Sequence, residues 1–194
     1  MRSRARRLAI PVVMACLLAG CQPAVLPTPT PAPSYRCTPE AGGDEFDCTQ
    51  HQYDDMIAKD KLYAEAEAVY RKFFAEDVRI LRAGGITTPT QVLLETTTGA
   101  FLEDSMGLYR SFATDDRRAV GGTIRLASLE RLPGISKGGS VVAMQACTDA
   151  TTTKTYRHGR QVGKGGAGID TLYFSRVDGV LKIQGADGKA VESC

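Results

Sequence analysis

Between Thr49 and Gly85 the chain carries its longest regular pattern. Apolar residues fall at 53, 56, 57, 63, 66, 69, 70, 73, 74, 78, 80 and 81. Steps of three and four place them on one side of a helix, as a single buried stripe. Lys59, Glu65, Lys72 and Glu76 fill the other side. Thr49-Gln50-His51-Gln52 opens the segment as a capping box, in which the Thr hydroxyl takes an early backbone N–H and the Gln reaches back. Gly84-Gly85 closes it, because glycine readily adopts the left-handed conformation after a helix. The spacing predicts one helix of about 33 residues, near 50 Å long if straight. No other element of the domain can match that length.

The remainder of the chain changes period. Thr88-Pro89-Thr90-Gln91 repeats the start signal, with Pro in the first helical position and a short helix through Glu95. Ala100–Phe112 is open to two readings: Phe101, Leu102, Met106, Tyr109 and Phe112 suit a helical face, and Gly107 weakens it. From Ile124 to Leu129 residues alternate, and Leu132-Pro133-Gly134 breaks the run. Val141–Cys147 suits a strand covered on one side, and Leu172-Tyr173-Phe174 is a third strand. Asp178-Gly179 marks a tight turn with Val180–Gln184 as its second arm. Lys154–Val162 adds one further hairpin arm. Helices followed by antiparallel strands define an α+β fold: a long N-terminal helix and one or two short ones packed on an antiparallel sheet of about four strands.

The N-terminus carries a different message. Arg2, Arg4, Arg6 and Arg7 precede an 11-residue apolar run, Leu8–Leu18. Such a run spans about 16 Å as helix, against about 30 Å of membrane hydrocarbon, so it reads as a signal segment. Leu18-Ala19-Gly20-Cys21 closely resembles the lipobox of bacterial lipoproteins. That resemblance implies cleavage after Gly20 and a diacylglyceryl group on the Cys21 thiol, with no other cofactor expected. Two acyl chains satisfy the requirement for stable anchoring. Residues 21–36 then form a lipidated, Pro-rich tether, with Pro at 23, 27, 29, 31 and 33 favouring an extended spacer. Residues 37–194 are expected to form a single domain.

Charge follows the same division. Of 24 Lys+Arg against 22 Asp+Glu, four Arg lie in positions 1–20, so the mature chain is slightly acidic. Nucleic acid is not an expected partner. Asn is absent, which removes Asn-linked glycosylation and any Cys-His-Asn triad.

Four cysteines remain after Cys16 and Cys21. An even number in an exported chain points to disulfides, and three pairings are open. Cys37–Cys48 with Cys147–Cys194 is preferred, because it closes a short loop before the long helix and ties down the last residue. Neither pair has the short spacing of a zinc knuckle, and no metal site is expected.

Three features carry a further resemblance: Cys37-Thr38-Pro39-Glu40 with Gly42-Gly43 and Cys48; Tyr63-Ala64-Glu65-Ala66-Glu67-Ala68-Val69-Tyr70-Arg71; and Ala146-Cys147-Thr148-Asp149 before a polar hairpin. Together they resemble a family of uncharacterised actinobacterial lipoproteins. The layout is similar to the cystatin-like roll of the nuclear-transport-factor-2 and ketosteroid-isomerase type. That resemblance implies a curved sheet wrapped round the long helix, often with a cone-shaped cavity. Tyr63, Tyr70, Tyr109 and Asp149 are the residues placed to reach it. It carries over no catalytic residue.

The remaining motifs have plain readings. His51 and Asp55 share a solvated first helical turn. Lys154, Arg157, His158, Arg160 and Lys164 form a basic hairpin suited to solvent or to anionic wall polymer or lipid headgroups. Gly163–Gly168 lacks the order of a phosphate loop and reads as a flexible connection. Asp115-Asp116-Arg117-Arg118 reads as a charged turn. With no catalytic set in the sequence, the expected function is a non-catalytic binding or accessory module. It would be anchored on the outer face of the cell membrane and serve an envelope component, whether wall or protein. The alternative is a small-ligand enzyme of the ketosteroid-isomerase type, which needs a buried carboxylate facing a phenol.

Overall fold

A computed structural model of the chain describes residues 34–194. The signal segment, the Cys21 lipid site and tether positions 21–33 lie outside the described residues. The fold is α+β. Two short strands, β1 (Tyr35–Cys37) and β2 (Phe46–Cys48), precede α1 (Gln50–Ala83), α2 (Gln91–Thr96) and α3 (Gly99–Thr114). Seven strands follow: β3 (Arg117–Val120), β4 (Arg125–Arg131), β5 (Val142–Asp149), β6 (Lys154–Arg157), β7 (Arg160–Lys164), β8 (Ala167–Val177) and β9 (Val180–Val191). They form three antiparallel sheets, ordered β1-β2, β3-β6-β7 and β4-β5-β8-β9. Among the described residues no helix is long and apolar enough to cross a membrane.

The capping box of α1 forms as read. The Thr49 hydroxyl accepts from the Gln52 N–H at 3.3 Å, and Gln52 Oε1 accepts from the Thr49 N–H at 2.9 Å. At the other end Gly84 takes φ 97° and donates to the Ile80 carbonyl. Gly85, at φ 87°, lies against the backbone of Tyr109 and Ala113, where any Cβ would collide. This close approach seats α3 beside the end of α1.

One core joins the helices to one face of the four-stranded sheet. Tyr63, Ala66, Tyr70, Phe73 and Ile80 come from α1, Leu93 from α2, and Met106 and Tyr109 from α3. Val142, Met144, Ala146, Leu172, Phe174, Leu181 and Ile183 come from the sheet. The Thr98 N–H bonds the Ile183 carbonyl at 2.9 Å, fixing the α2–α3 junction to β9.

Both preferred disulfides are present. Cys37–Cys48 has its Cα atoms 5.9 Å apart, and Cys147–Cys194 has them 5.7 Å apart. The first braces the β1–β2 hairpin before α1; the second holds the chain end to β5.

Several local expectations are corrected. Tyr35 and Arg36, read as the end of the tether, belong to β1, so the first strand begins two residues before Cys37. The second helix starts two residues later than read, because Thr90 and not Thr88 caps it through Leu93 N–H. Gly107 is accommodated inside α3. Lys154–Val162 supplies two arms, because His158-Gly159 turn the chain with φ 49° and 78°. Arg117 and Arg118 are in a strand and not a turn, since pairing with Arg157 and Tyr156 of β6 overrides their charge. The glycine connection is pinned: Gly165 donates to the Thr153 carbonyl and the Gly166 carbonyl accepts from Ala150.

Candidate functional site

A cavity of about 310 Å³ opens between α1, α3 and the far ends of β5, β8 and β9. Aromatic rings form one wall. Tyr70 lies 6.1 Å from both Phe73 and Phe74, centroid to centroid, and Phe73 meets Phe101 edge-on at 5.1 Å. Leu81, Leu108, Ile124 and Leu172 complete the apolar lining. Leu108 is exposed, so the rim meets solvent. Four polar groups converge inside: Tyr70, Asp77, Tyr109 and Asp170, with Ser105 beside Tyr109.

Each is placed by its element. Asp77 falls in the middle of the apolar stripe of α1, one helical turn from Phe73 and Phe74 and one from Ile80 and Leu81. The seating of α3 brings the Tyr109 hydroxyl to Asp77 Oδ1, to which it donates at 2.7 Å. Asp170 shares the inward face of β8 with Leu172 and Phe174, two and four residues on. Opposite it in the ladder is Gly188, and a Cβ there would collide with Asp170 Oδ1. That glycine leaves room for the carboxylate.

The electrostatics are one-sided. Burial pushes the Asp77 carboxyl up to about 6, against the lowering effect of the Tyr109 bond and with help from Asp170. Burial also raises Asp170, which accepts no side-chain hydrogen bond among the described residues. Tyr70 is only 3 % exposed, and its hydroxyl too has no hydrogen-bond partner there. Burial raises its pKa, and both carboxylates raise it further. Among the described residues no Lys, Arg or His lines the cavity. The nearest cations on α1 are committed elsewhere: Lys72 to Glu95, Arg79 to Glu76, Arg82 to the carbonyls of Gly121 and Gly122.

Of the four residues read from the sequence as reaching a cavity, Tyr70 and Tyr109 meet here. Tyr63 does not, lying two turns, about 10 Å, along α1. It donates to Glu40 at 2.9 Å and carries Arg131 over its ring at 4.8 Å. It lines a separate cavity of about 220 Å³ whose Glu40 is already paired with Lys59. Asp149 also lies outside. It is held at about 2 by the Thr151 hydroxyl and N–H and by Arg125, with which it pairs at 2.8 Å. It caps a turn, as an Asp after a strand commonly does. The carboxylates that do face the cavity, Asp77 and Asp170, escaped the sequence reading. A signal for each was present: an acidic residue interrupting a helical apolar stripe, and one interrupting the inward positions of a strand. His51 pairs with Asp55 at 3.5 Å and His158 with Asp116 at 3.3 Å, both exposed. Among the described residues no cluster of three or more His, Cys, Asp or Glu could hold a metal.

The match between Gly188 and Asp170 has a measurable consequence. Gly188→Ala is expected to cost about 1 kcal/mol of stability by crowding. In an Asp170→Ala background the same substitution should cost nothing. Urea unfolding of the two single variants and the double variant measures this. Equal costs in both backgrounds would separate the two residues.

No protein-family model matches the chain, and no curated protein matches it at a significant level.

Proposed function

We propose that this chain is a lipid-anchored protein on the outer face of the cell membrane whose domain binds a small organic molecule in the cavity between α1, α3 and the sheet. One observation carries this: Tyr70, Asp77, Tyr109 and Asp170 converge in an aromatic cavity, and among the described residues neither Asp170 nor the buried Tyr70 has a side-chain hydrogen-bond partner. A folded domain gains nothing in stability from a partly buried carboxylate and a buried phenol that pair with nothing, so their placement points to a ligand. The long helix lying on a four-stranded antiparallel sheet supports a cystatin-like roll, and the lipobox supports the anchor. Native mass spectrometry of the full chain, released from its own membranes, tests the binding. The expected result is a co-purifying small molecule that Ser105→Phe, which fills the cavity, removes. A wild-type chain carrying no small molecule, and unshifted in melting by a small-molecule extract of its host, would overturn it.

The anchor has its own test. Cys21→Ala should move the protein from the membrane fraction to the medium or the soluble fraction. Unchanged membrane retention would refute lipidation at Cys21.

A second reading, isomerase-like catalysis, draws on the Asp77 carboxyl near 6, a fitting general base, with the free Tyr70 hydroxyl as donor. Turnover of a β,γ-unsaturated ketone, abolished in Asp77→Asn, would favour it over simple binding.

A further inference from the structure

The chemistry of the cavity narrows its ligand, on the basis that the cavity is the binding site. We infer that it takes a hydrophobic organic cation, an amine or quaternary ammonium with an aromatic or alkyl body, whose nitrogen sits among Asp77, Asp170 and Tyr70. Four observations converge on that class.

First, the two carboxylates face one apolar space that, among the described residues, no basic side chain enters. A neutral ligand would displace water from both and leave them unpaired, which is costly. An anion would meet like charge. A cation lying between them is attracted by both carboxylates at once and offsets their mutual repulsion. Second, the wall beside them is built from the rings of Tyr70, Phe73, Phe74 and Phe101. Aromatic faces attract a cation through their quadrupoles and also cover an apolar body. Third, Tyr70 is almost wholly buried with an unpartnered hydroxyl at the same cavity. It adds a ring to the wall and an oxygen acceptor for an amine N–H. Fourth, two carboxylates and one free phenol offer calcium too few oxygens, since it takes about six to eight. The lining is otherwise mostly carbon.

The pH dependence of binding follows from the groups that face the site. These are Tyr70 and Asp77 from α1, Ser105 and Tyr109 from α3, Thr148 from β5 and Asp170 from β8. Asp149, next to Thr148, is turned to Arg125, and Asp187, next to Gly188, is bound to Lys137 and Tyr173. Only Asp77 and Asp170 change charge in the acid to neutral range. Cation affinity should therefore rise with pH as they ionise.

Isothermal titration of the full chain held in a peptidisc, at pH 8, tests the inference. Three probes of similar size are used: phenyltrimethylammonium, its uncharged isostere tert-butylbenzene, and benzoate. The cation is expected to bind one to one, with tert-butylbenzene much weaker and benzoate absent. Asp77→Asn and Asp170→Asn should each weaken the cation about tenfold or more, a loss of about 1.4 kcal/mol. Lowering the pH to 5 should weaken it similarly in the wild type but much less in Asp77→Asn. Equal or tighter binding of tert-butylbenzene would overturn the cation class while leaving a ligand cavity in place. Cation binding that neither Asn variant changes would also overturn it, because the cation would then sit elsewhere. If no probe binds, the cation class fails, and the co-purification result separately decides whether the cavity binds anything.

Discussion

Replacing Asp77 with Asn should make the protein more stable at neutral pH and leave it nearly unchanged in acid. The sign comes from proton linkage. Burial raises the Asp77 carboxyl from 3.8 to about 6 in the folded chain, so the folded state holds the proton more tightly than the unfolded state. Below about pH 4 both states are protonated and the residue is neutral to stability. Between about 4 and 6 the unfolded chain has lost the proton and the folded chain has kept it, so stability falls as pH rises. Above about 6 the loss is complete, amounting to as much as about 3 kcal/mol for two pKa units. Asn keeps an oxygen that can accept from the Tyr109 hydroxyl and has no charge to desolvate. Urea unfolding at pH 3.5 and at pH 8 should therefore show the variant equal to wild type at the first and well above it at the second. A variant no more stable than wild type at pH 8 would mean that the carboxylate is paid back by water or by an unseen partner. Because Asp170 contributes to raising Asp77, Asp170→Asn should lower the Asp77 midpoint in a carboxyl NMR titration.

Removing the Cys147–Cys194 bridge, with both residues changed to Ala, is expected to cost about 4 kcal/mol, on the chain-entropy model for a loop of this length. The bridge spans a sequence separation of 47, against 11 for Cys37–Cys48, whose loss should cost about 3 kcal/mol. The larger effect has a local side. Val191 and Ala190 pair with Ala167 and Gly168 at the end of the β8–β9 ladder, two residues from the pairing of Gly188 with Asp170. Without the bridge this end of the ladder has no tie beyond its backbone bonds, and it should fray. Amide exchange should accelerate from Ala167 to Asp170 and from Gly188 to Val191, while α1 stays protected to the extent of the remaining global stability. A loss below about 1 kcal/mol would show that the ladder alone holds the C-terminus.

Local sequence was sufficient wherever an element's own residues settle its form. The stripe and caps of α1 place its ends within a residue, because Thr49, Gln52 and Gly84 act on backbone groups in their own turn. Asp178-Gly179 turns the chain with φ 51° and 80°, as the dipeptide predicts. Reading failed where partners decided. β8 runs 11 residues although only Leu172-Tyr173-Phe174 reads as strand, because β5 on one side and β9 on the other satisfy its backbone along nearly the whole length. Arg117 and Arg118 become strand for the same reason.

The site divides in the same way. Amino-acid order alone determined the long helix, the α+β class, the favoured cysteine pairs, and two of the tyrosines that line the cavity. Which carboxylates enter it was decided only in three dimensions. Asp149 has the more conspicuous position in the sequence, but Arg125 and Thr151 draw it to a turn. Asp77 and Asp170 lie 93 positions apart and share a cavity because Gly85 lets α3 close on α1 and Gly188 leaves room on β9. A pattern of one residue type can report the face it occupies. It cannot report what stands across from that face, and the charge state of a buried acid depends on that neighbour.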